Sequence, residues 1–515
     1  MIYYSGSSLG AGVNFRERLL ADLPRGVSGK PDSDVAAQWG DVEKLPPKFG
    51  YGRDSENGKR GVFLGYNGLP SGKPLGFTDD RHVLTIAGSR AGKGRSLIIP
   101  NLLLYEGSVL AIDPKGELAR VTSRARAAMG QKVFVLDPFG ASLQDCKSDK
   151  QRDELKARLA SYNPLADLDP NSRTFVDDAQ IIANALVKDG DGDRFWTESA
   201  RVLVRALILF AFTLAPEHRH LVTVRNLLTL NDPLLTEIAN KNSTDPQTVL
   251  WELLKLTGEK TFGGLIAATG ATFSKMHENG LSSVLATART ETAFLDSPLL
   301  QDTLTKSDFA LRDLKRGAAT VYLCLPAGRM ASHSNWLRIF IDLALQAFEQ
   351  DMSKPPAPLL MVLDEFPVLG YMRSLEAAAG QIAGFGVKLW TVIQDITQLK
   401  RLYKDSWETF VGNAGVVTAF GNTDGSTLRY LSDQLGNVTM DIIKESGASA
   451  AQTRAGALPT QKQIRDAPLL APHELAELFG REKGRLLVMA AGLPPLAILR
   501  AIYDKDEPFS GSFDP

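Results

Sequence analysis

Residues 82–94 read HVLTIAGSRAGKG, and this stretch decides the fold of the chain. A short apolar run, His82–Ala87, leads into small residues and then into Lys93. Small residues let backbone N–H groups turn inward toward phosphate oxygens, and the N-terminus of a following helix adds partial positive charge. The stretch therefore predicts a buried strand, a phosphate-binding loop and a helix over Arg95–Leu104.

Lys93 is expected to reach the β- and γ-phosphates of bound ATP. The predicted nucleotide-binding residues are consecutive in the chain: Ala87, Gly88, Ser89, Arg90, Ala91, Gly92, Lys93, Gly94 and Arg95.

Two positions of this loop depart from the general pattern of Gly, four residues, then Gly-Lys-Ser/Thr. Ala87 stands where glycine is usual, and Gly94 replaces the residue whose hydroxyl normally ligates Mg²⁺. Ser96 is a poor substitute, because two residues along a helix lie about 200° apart around its axis. We expect water to fill that coordination position. Pro100 is expected to kink the following helix or to limit its first segment.

Further apolar runs separated by helical stretches predict buried parallel strands of an α/β sheet. These runs are Ser108–Asp113, Lys132–Asp137, Thr320–Leu325, Leu359–Asp364, Val387–Gln394 and Val416–Phe420. Two more runs, Leu486–Ala490 and Leu496–Ile502, flank Gly492–Pro495 and predict a terminal hairpin.

Between these two sets of strands the spacing of apolar residues becomes helical. The predicted helices are Val176–Val187, Thr197–Ala215, Val222–Leu230, Pro246–Leu256 and Leu281–Phe294. We therefore predict a nucleotide-binding domain over 61–175 and 301–515 that is interrupted by an all-α domain over 176–300. Residues 1–60 are predicted to form an irregular arm or small subdomain, and residues 440–466 a mobile loop.

The bulk composition is that of a globular protein, with 44% apolar and 23% charged residues in a chain of 515. The 58 basic and 59 acidic residues nearly cancel, so any contact with DNA must come from a local patch or a ring of subunits. Cys146 and Cys324 are the only cysteines in the sequence, which argues against a disulfide framework and fits a reducing cytoplasm. No apolar stretch approaches the roughly 20 residues that cross a bilayer, so the chain as written is predicted to be soluble.

The run Leu359–Leu363 delivers two carboxylates, Asp364 and Glu365, at its carboxyl end. Doubly wound sheets bind their ligands at such ends. Beside a phosphate loop, Asp364 would hold Mg²⁺ through its water shell and Glu365 would orient and deprotonate the attacking water. Gln394, at the end of the next strand along the chain, would hydrogen-bond both that water and the γ-phosphate. Taken alone, the acidic pair also fits a solvated turn.

Three further features of the sequence leave alternatives open. Asp113 fits either the site or a turn cap. A hydrolysing motor also needs a cation at the developing charge, often from a neighbouring subunit, and Arg429 is our candidate, with Arg338 and Arg401 as rivals. A set of basic residues is either a DNA-contacting face or a solvated helix face: Lys115, Arg120 and Arg124.

In this order, the motifs resemble those of the TraG-type coupling proteins of type IV secretion and conjugation, a branch of the FtsK/HerA-like hexameric motors. The segments that carry the resemblance are Arg90–Gly94 with Ile99–Leu103, Asp113–Leu118, Asp137–Phe139, Tyr162–Leu165, Phe195-Trp196 with Ala200, Leu363–Gly370, and Ile393–Asp395 with Gln398-Leu399. Gly94 looks like the usual variant of this family.

The resemblance implies a RecA-like P-loop nucleotide-binding domain with an inserted all-α domain. It implies that six subunits ring a channel, hydrolyse ATP with Mg²⁺, and pass single-stranded DNA with its attached relaxase to secretion channel components at the inner membrane. We expect a homo-hexamer when active and a monomer in isolation. The alternative is a nucleotide-regulated recruitment platform without DNA translocation. A small-molecule kinase would leave the helical insertion and Gln394 unexplained.

The sequence also departs from the family pattern at two places. Family members usually begin with a pair of transmembrane helices, whereas here a short polar arm precedes the family-like segment Val35–Gly40. We expect either a soluble variant or a chain whose anchor was removed, located in the cytoplasm or held by partners at the cytoplasmic face of the inner membrane. The segment Ala377–Phe385 lacks the arginine that, in some relatives, is proposed to act across the subunit interface. This absence favours Arg429 for that role.

Overall fold

A computed structural model of the protein describes residues 37–52, 55, 61–68, 72–188, 194–258, 260–445 and 460–514. Eleven of its strands form one sheet in the order β2-β1-β13-β12-β9-β3-β8-β7-β4-β6-β5. The strands of this sheet are β1 (Val62–Asn67), β2 (Lys73–Phe77), β3 (His82–Ala87), β4 (Val109–Asp113), β5 (Lys132–Leu136), β6 (Ala319–Cys324), β7 (Leu359–Leu363), β8 (Val387–Ile393), β9 (Ala414–Phe420), β12 (Arg485–Ala490) and β13 (Leu493–Leu499).

Seven neighbouring strands, from β9 to β5 in the sheet order, run parallel. The central ones are buried along their whole length, as continuous apolar runs predict. β3 lies between β8 and β9, and β7 lies on the far side of β8. This order brings the carboxyl ends of β3, β8 and β7 to one edge of the sheet. The remaining four strands pair antiparallel and extend the sheet beyond β9.

Helices accompany the first parallel strands: α1 (Ile99–Leu104), α2 (Glu117–Ala128) and α3 (Asp149–Lys156). A run of helices without any strand in the described residues then fills the chain up to β6. These helices are α4 (Phe175–Leu186), α5 (Arg194–Ala211), α6 (Leu221–Thr229), α7 (Pro233–Asn242), α8 (Pro246–Leu256), α9 (Leu265–Ser274), α10 (Glu278–Glu291), α11 (Pro298–Leu304) and α12 (Asp313–Arg316). The later helices are α13 (Ala327–Gln350), α14 (Arg373–Gln381), α15 (Ile396–Tyr403), α16 (Glu408–Gly412), α17 (Gly425–Leu435) and α18 (Pro472–Leu478).

The mixed α/β class and the five predicted helices of the central region are confirmed. The sequence pattern missed α7, α9 and α11, whose apolar faces are short. It also missed α13, a helix of 24 residues. The domain boundaries at 175 and 300 stay a prediction, because the helical region and the sheet share one hydrophobic core. Within the described residues, no helix is long and apolar enough to cross a membrane.

α13 joins the two parts of the fold. It follows β6 and is buried on most sides, with Trp336 and Phe340 fully enclosed. It packs against α4 of the helical region and also against the segment that follows β7. One face of the sheet and the helical region therefore form a single core around α13, while a second core covers the other face of the sheet.

The expectation of a mobile loop over 440–466 is wrong for the residues that the structure describes. β10 (Asn437–Glu445) and β11 (Thr460–Pro468) pair antiparallel along their full length, from Asn437 opposite Pro468 to Glu445 opposite Thr460. The prediction rested on the small number of large apolar residues in this segment. Two strands can nevertheless pair through backbone hydrogen bonds, and the β-branched residues of this segment favour strands. Residues 446–459 of the predicted loop lie outside the described residues.

The first described residues and the terminal hairpin both contact strands of the fold. The terminal hairpin is confirmed, with β13 beginning at Leu493 rather than Leu496, because a register shift in the pairing with β12 accommodates the two prolines. Most of the predicted arm over 1–60 lies outside the described residues. Its described part contains two short 3₁₀ turns and is tied down by hydrogen bonds from Ala37 N–H to the Asn437 carbonyl and from Gly40 N–H to the Pro495 carbonyl.

Candidate active site

The turn after β3 has the backbone of a phosphate-binding loop. Arg90 and Gly92 have positive φ angles of 56° and 90°, so successive N–H groups turn to the same side. Gly88 is required by close packing, since a Cβ there would lie 2.0 Å from the Gly421 carbonyl oxygen. The loop is thus held against the turn that follows β9.

The helix that opens after Lys93 starts with a π-helical turn over Gly94–Ile98 and continues as α1. Pro100 lies inside this helix, just after the π-helical turn gives way to α1, and the helix ends at Leu104. The Ser96 hydroxyl donates to the Gly92 carbonyl at 2.8 Å and so faces its own backbone. No hydroxyl therefore stands at the position that Gly94 occupies, and water as the ligand there stays a prediction.

The predicted catalytic side chains meet at the shared edge of β3, β7 and β8. Lys93 Nζ lies 2.7 Å from Glu365 Oε1 and 3.1 Å from Asp364 Oδ1. Gln394 Nε2 donates to Glu365 Oε2 at 3.0 Å. Four of the five predicted catalytic residues, from three distant parts of the sequence, thus form one hydrogen-bonded group that does not include Arg429.

Burial and charge act in opposite directions within this group. Burial lowers the pKa of Lys93, but the carboxylates of Asp364 and Glu365 outweigh it and the net shift is upward. Burial raises the pKa of Asp364, and the ammonium of Lys93 only partly offsets this. Lys93 is therefore charged and serves as the counter-charge that makes two adjacent carboxylates tolerable at a buried strand end.

Glu365 also has an unusual backbone, with a φ of +54°. A non-glycine residue at positive φ is strained, and such strain concentrates at functional positions. Asp364 Oδ1 accepts the Glu365 N–H at 3.1 Å, which supports this turn. A 3₁₀ helix over Phe366–Leu369 follows and leads the chain away from the edge.

Asp113 caps a turn and also borders the cleft, so a role in the site stays a prediction. Its carboxylate accepts the backbone N–H groups of Ala119 at 2.9 Å and Lys115 at 3.4 Å, so it caps the start of α2. It also lines the same cleft as Lys93. Burial, opposed by these backbone hydrogen bonds, raises the pKa of the Asp113 carboxyl to about 6.

The cleft between these groups has a volume of about 650 Å³, of the size that holds a small-molecule ligand. The predicted residues that line it are Ser89, Arg90, Gly92, Lys93, Gly94, Arg95, Asp364, Glu365 and Gln394. Three predicted loop residues do not line it: Ala87, Gly88 and Ala91 pack behind the loop. The set of donors, a lysine and backbone N–H groups beside two carboxylates, fits a phosphate chain with Mg²⁺.

Two arginines at this cleft have no motif in the sequence. Arg481 lines the cleft from the turn before β12. Arg500, directly after β13, is buried and donates to the Ala91 carbonyl at 2.9 Å and to the Arg481 carbonyl at 2.6 Å. Its guanidinium lies 4.3 Å from the centre of the Phe420 ring. Arg500 thus ties the phosphate loop to the turn that carries Arg481.

The three candidate trans-acting arginines lie in different environments. Arg429 is exposed on α17 and does not line the cleft of its own chain. Arg401 is exposed on α15. Arg338 is buried and donates to the carbonyls of Leu369 at 2.6 Å and Tyr371 at 2.8 Å, so it has a structural contact within the chain.

The proposed basic face on α2 is partly neutralised by the C-terminal segment. Arg124 Nε donates to Asp514 Oδ1 at 2.5 Å. The Asp514 N–H also bonds the Val121 carbonyl, so this segment lies along α2. Arg124 is therefore paired with the C-terminal segment, which argues against an open DNA-binding surface at this residue.

The protein-family model described as Type IV secretory system Conjugative DNA transfer matches residues 55–513. VirD4 of Agrobacterium fabrum is 27% identical over 436 residues, which make up 82% of this chain and 59% of VirD4. TraG of Escherichia coli is 27% identical over 464 residues, or 85% of this chain and 69% of TraG. The chain spans about three-fifths of the length of the VirD4 proteins that it matches.

Solved structures of the conjugative coupling protein TrwB share the fold. Unbound TrwBdeltaN70 matches with a TM-score of 0.55 and 17% identity, covering 85% of this chain and 89% of that one. TrwB in complex with the ATP analogue ADPNP matches with a TM-score of 0.55 and 16% identity, covering 92% and 97%. The RecA-like P-loop fold is therefore confirmed, and TrwB has also been solved with ADP and Mg²⁺. Since the family model covers most of the chain, this protein belongs to the type IV secretory system conjugative DNA transfer family.

Proposed function

We propose that this protein is an ATP-hydrolysing coupling protein of conjugation. It would recruit single-stranded DNA with its attached relaxase, or protein substrates, and drive them into a type IV secretion channel. The observation that carries the proposal is the contact of Lys93 with Asp364 and Glu365, completed by Gln394, at the carboxyl edge of the sheet. A platform that only docks substrates needs no such set of catalytic groups.

Each group has a role that its position allows. Lys93 and the backbone N–H groups of the loop would hold the phosphates, and Asp364 would hold Mg²⁺ through water. Mg²⁺ supplies neutralisation of the charge that develops on the phosphates. Glu365 would accept a proton from the attacking water, with Gln394 keeping its carboxylate in place. Lys93 is paired with the two carboxylates, so nucleotide binding requires Lys93 to exchange these partners for phosphate oxygens.

The exposed position of Arg429 supports a role across a subunit interface. A cation that acts on a neighbour must reach out of its own chain, and α17 follows β9, beside the phosphate loop. We propose a homo-hexamer in which Arg429 of one subunit completes the site of the next. In this arrangement the ring would work with inner-membrane components of the secretion channel, at the cytoplasmic face of that membrane.

The test is ATP hydrolysis by the purified protein, measured against protein and single-stranded DNA concentration. The proposal predicts a rate per subunit that rises with protein concentration and is stimulated by DNA. A matched variant, Arg429→Ala, should lose the concentration-dependent part of the rate, whereas Arg401→Ala should retain it. Hydrolysis at the same rate with and without DNA would favour the recruitment platform instead.

A further inference from the structure

A second cavity, of about 380 Å³, lies between the helical region and the segment that follows β7. Helices α4, α5, α13 and α14 contribute its walls. Its charged lining residues are Arg194, Arg201, Arg338, Arg373, Glu198 and Asp342. Four arginines against two carboxylates leave a surplus of two positive charges, although the whole chain is almost neutral.

Some of these charges hold the cavity walls together. Arg201 contacts Glu198 at 2.8 Å and donates to the Val187 carbonyl, which joins α5 to the end of α4. Asp342 accepts a hydrogen bond from the Ser374 hydroxyl. These contacts hold the helices that form the cavity walls in fixed positions.

The surplus charge comes from two exposed side chains. Arg194 begins α5 and Arg373 begins α14, and both are exposed at the cavity. In the part of the chain that the structure describes, neither of them forms an ion pair with a carboxylate. Tyr371, 37% exposed, also lines the cavity, and its phenol is hydrogen-bonded to Glu376 and Arg373. Exposed arginines beside an exposed aromatic ring are the combination by which proteins bind a sugar-phosphate backbone and stack a base.

We propose that this cavity binds the phosphodiester backbone of single-stranded DNA, with Arg194 and Arg373 on phosphates and Tyr371 against a base. The proposal rests on the proposed function, since it names where the coupling protein contacts its DNA. Two exposed arginines on different helices, beside an exposed ring, suit a chain that carries several phosphates.

The position of the cavity also links it to ATP hydrolysis. Arg338 and Asp342 lie one turn apart on α13 and hold the segment after β7 at Leu369, Tyr371 and Ser374. This segment begins at Glu365, in the nucleotide cleft. DNA bound against Tyr371 and Arg373 therefore contacts the same short stretch of chain that positions Glu365. Coupling of this kind is reciprocal, so DNA would change nucleotide affinity and nucleotide would change DNA affinity.

The test is the binding of a fluorescein-labelled oligothymidylate to the full chain, followed by anisotropy at several salt concentrations. The variant carries Arg194→Ala together with Arg373→Ala. Its matched control carries Lys241→Ala together with Lys275→Ala, which removes two exposed positive charges elsewhere in the helical region. Tyr371→Leu tests the stacking separately.

Loss of two phosphate contacts should weaken binding by about tenfold or more and reduce the slope of log affinity against log salt by about 1.4. The control pair should bind as the wild type does. Tyr371→Leu should weaken binding without changing the salt slope. All variants should show the circular-dichroism spectrum and the melting temperature of the wild type, which shows that they are folded.

Three results overturn the proposal: wild-type affinity in the arginine variant, equal weakening in the control pair, or equal competition by thymidine monophosphate and by unlabelled oligothymidylate at the same phosphate concentration. The last result would make the cavity a site for small phosphates. Failure of the proposed function looks different, because the wild type itself would then neither bind DNA nor be stimulated by it.

Discussion

Two cavities border the same stretch of chain, from Glu365 to Ser374, and their charges are arranged in opposite ways. In the nucleotide cleft, Lys93 is already neutralised by Asp364 and Glu365 at hydrogen-bond distance. In the second cavity, Arg194 and Arg373 are exposed, and the four arginines of the lining outnumber its two carboxylates. The first site must therefore break internal contacts to accept a ligand, whereas the second offers its charge without such a cost.

This difference in charge indicates how each site would select its ligand. Opening an internal ion pair costs free energy that only a ligand of matching charge and shape returns, so the cleft suits one defined small molecule. Exposed charges beside a ring accept any phosphate chain and depend strongly on salt. The nucleotide cleft would thus be selective, and the second cavity tolerant of sequence.

The largest expected effect comes from removing the cation of the cleft. Lys93→Ala should reduce ATP turnover to the uncatalysed background, since the phosphates lose their counter-charge and the two carboxylates repel them. Steady-state phosphate release and binding of a fluorescent ATP analogue measure this. Lys156→Ala, an exposed lysine of α3, serves as the control and should be unaffected. Turnover above about a tenth of wild type in Lys93→Ala would mean that the cleft is not the hydrolytic site.

A smaller effect is expected when only the proposed base is changed. Glu365→Gln keeps the size of the side chain but cannot accept a proton, so hydrolysis should fall by about 10²–10⁴-fold. Nucleotide binding should be retained or tightened, because the variant removes a negative charge next to the phosphates. Single-turnover hydrolysis and equilibrium binding separate the two effects. Loss of binding in step with turnover would assign Glu365 to the structure of the site.

The sequence predicted which side chains would meet at the cleft, because each part of the cleft is local in the chain. A phosphate loop lies between one strand and one helix, and an acidic pair or a glutamine ends a single strand, so each could be recognised alone. The parallel sheet then brings Lys93, Asp364, Glu365 and Gln394 together, since carboxyl ends of neighbouring parallel strands share an edge. Continuous apolar runs were sufficient to predict that sheet.

The arginines around both cavities could not be predicted in this way. Arg481 and Arg500 reach the phosphate loop only because the antiparallel hairpin is paired beside β9. The second cavity needs α5, α13 and α14 to meet, and nothing in their separate sequences fixes that packing. An arginine has no fixed sequence spacing to its partners, whereas a glycine loop does. The pairing of β10 with β11 was missed for a related reason, since it depends on a partner strand rather than on composition.

A substitution of Arg500 tests how much its hydrogen bonds to the phosphate loop contribute to stability and to ATP binding. Arg500→Met should leave the carbonyls of Ala91 and Arg481 without their donor and lower the free energy of unfolding by about 1–3 kcal/mol. The KM for ATP should rise by roughly tenfold, with a smaller change in kcat, because the loop that holds the phosphates loses a tether. The control is Asp504→Asn, which breaks the exposed ion pair of Arg95 and Asp504 and should cost less than about 1 kcal/mol. Equal effects of the two variants would show that burial of Arg500 is unimportant.

The smallest expected effect compares one buried carboxyl from each cavity. Burial raises the pKa of Asp113 to about 6, despite its backbone hydrogen bonds, and it raises the pKa of Asp342 to about 6, despite Ser374 and Arg338. Between about pH 4 and pH 6 the folded protein keeps each proton that the unfolded chain has released. Each of these two carboxyls therefore lowers the stability as the pH rises through this window and contributes no further change above it, whereas His82, whose pKa burial lowers to about 4, raises the stability with pH over the same range.

Each carboxyl should lower the free energy of unfolding by an amount on the order of 3 kcal/mol over this pH window, because one unit of pKa difference corresponds to 1.36 kcal/mol. Urea unfolding of the wild type, Asp113→Asn and Asp342→Asn between pH 4.5 and 7.5 measures it. Each variant lacks one titrating group, so its stability should decline less than that of the wild type as the pH rises. Curves parallel to that of the wild type would mean that the group titrates alike in both states, and that its cavity is more hydrated than its burial indicates. If only the Asp342→Asn curve is flatter than that of the wild type, Asp113 titrates alike in both states. The more hydrated cavity would then be the cleft that Asp113 lines, where the ligand must enter.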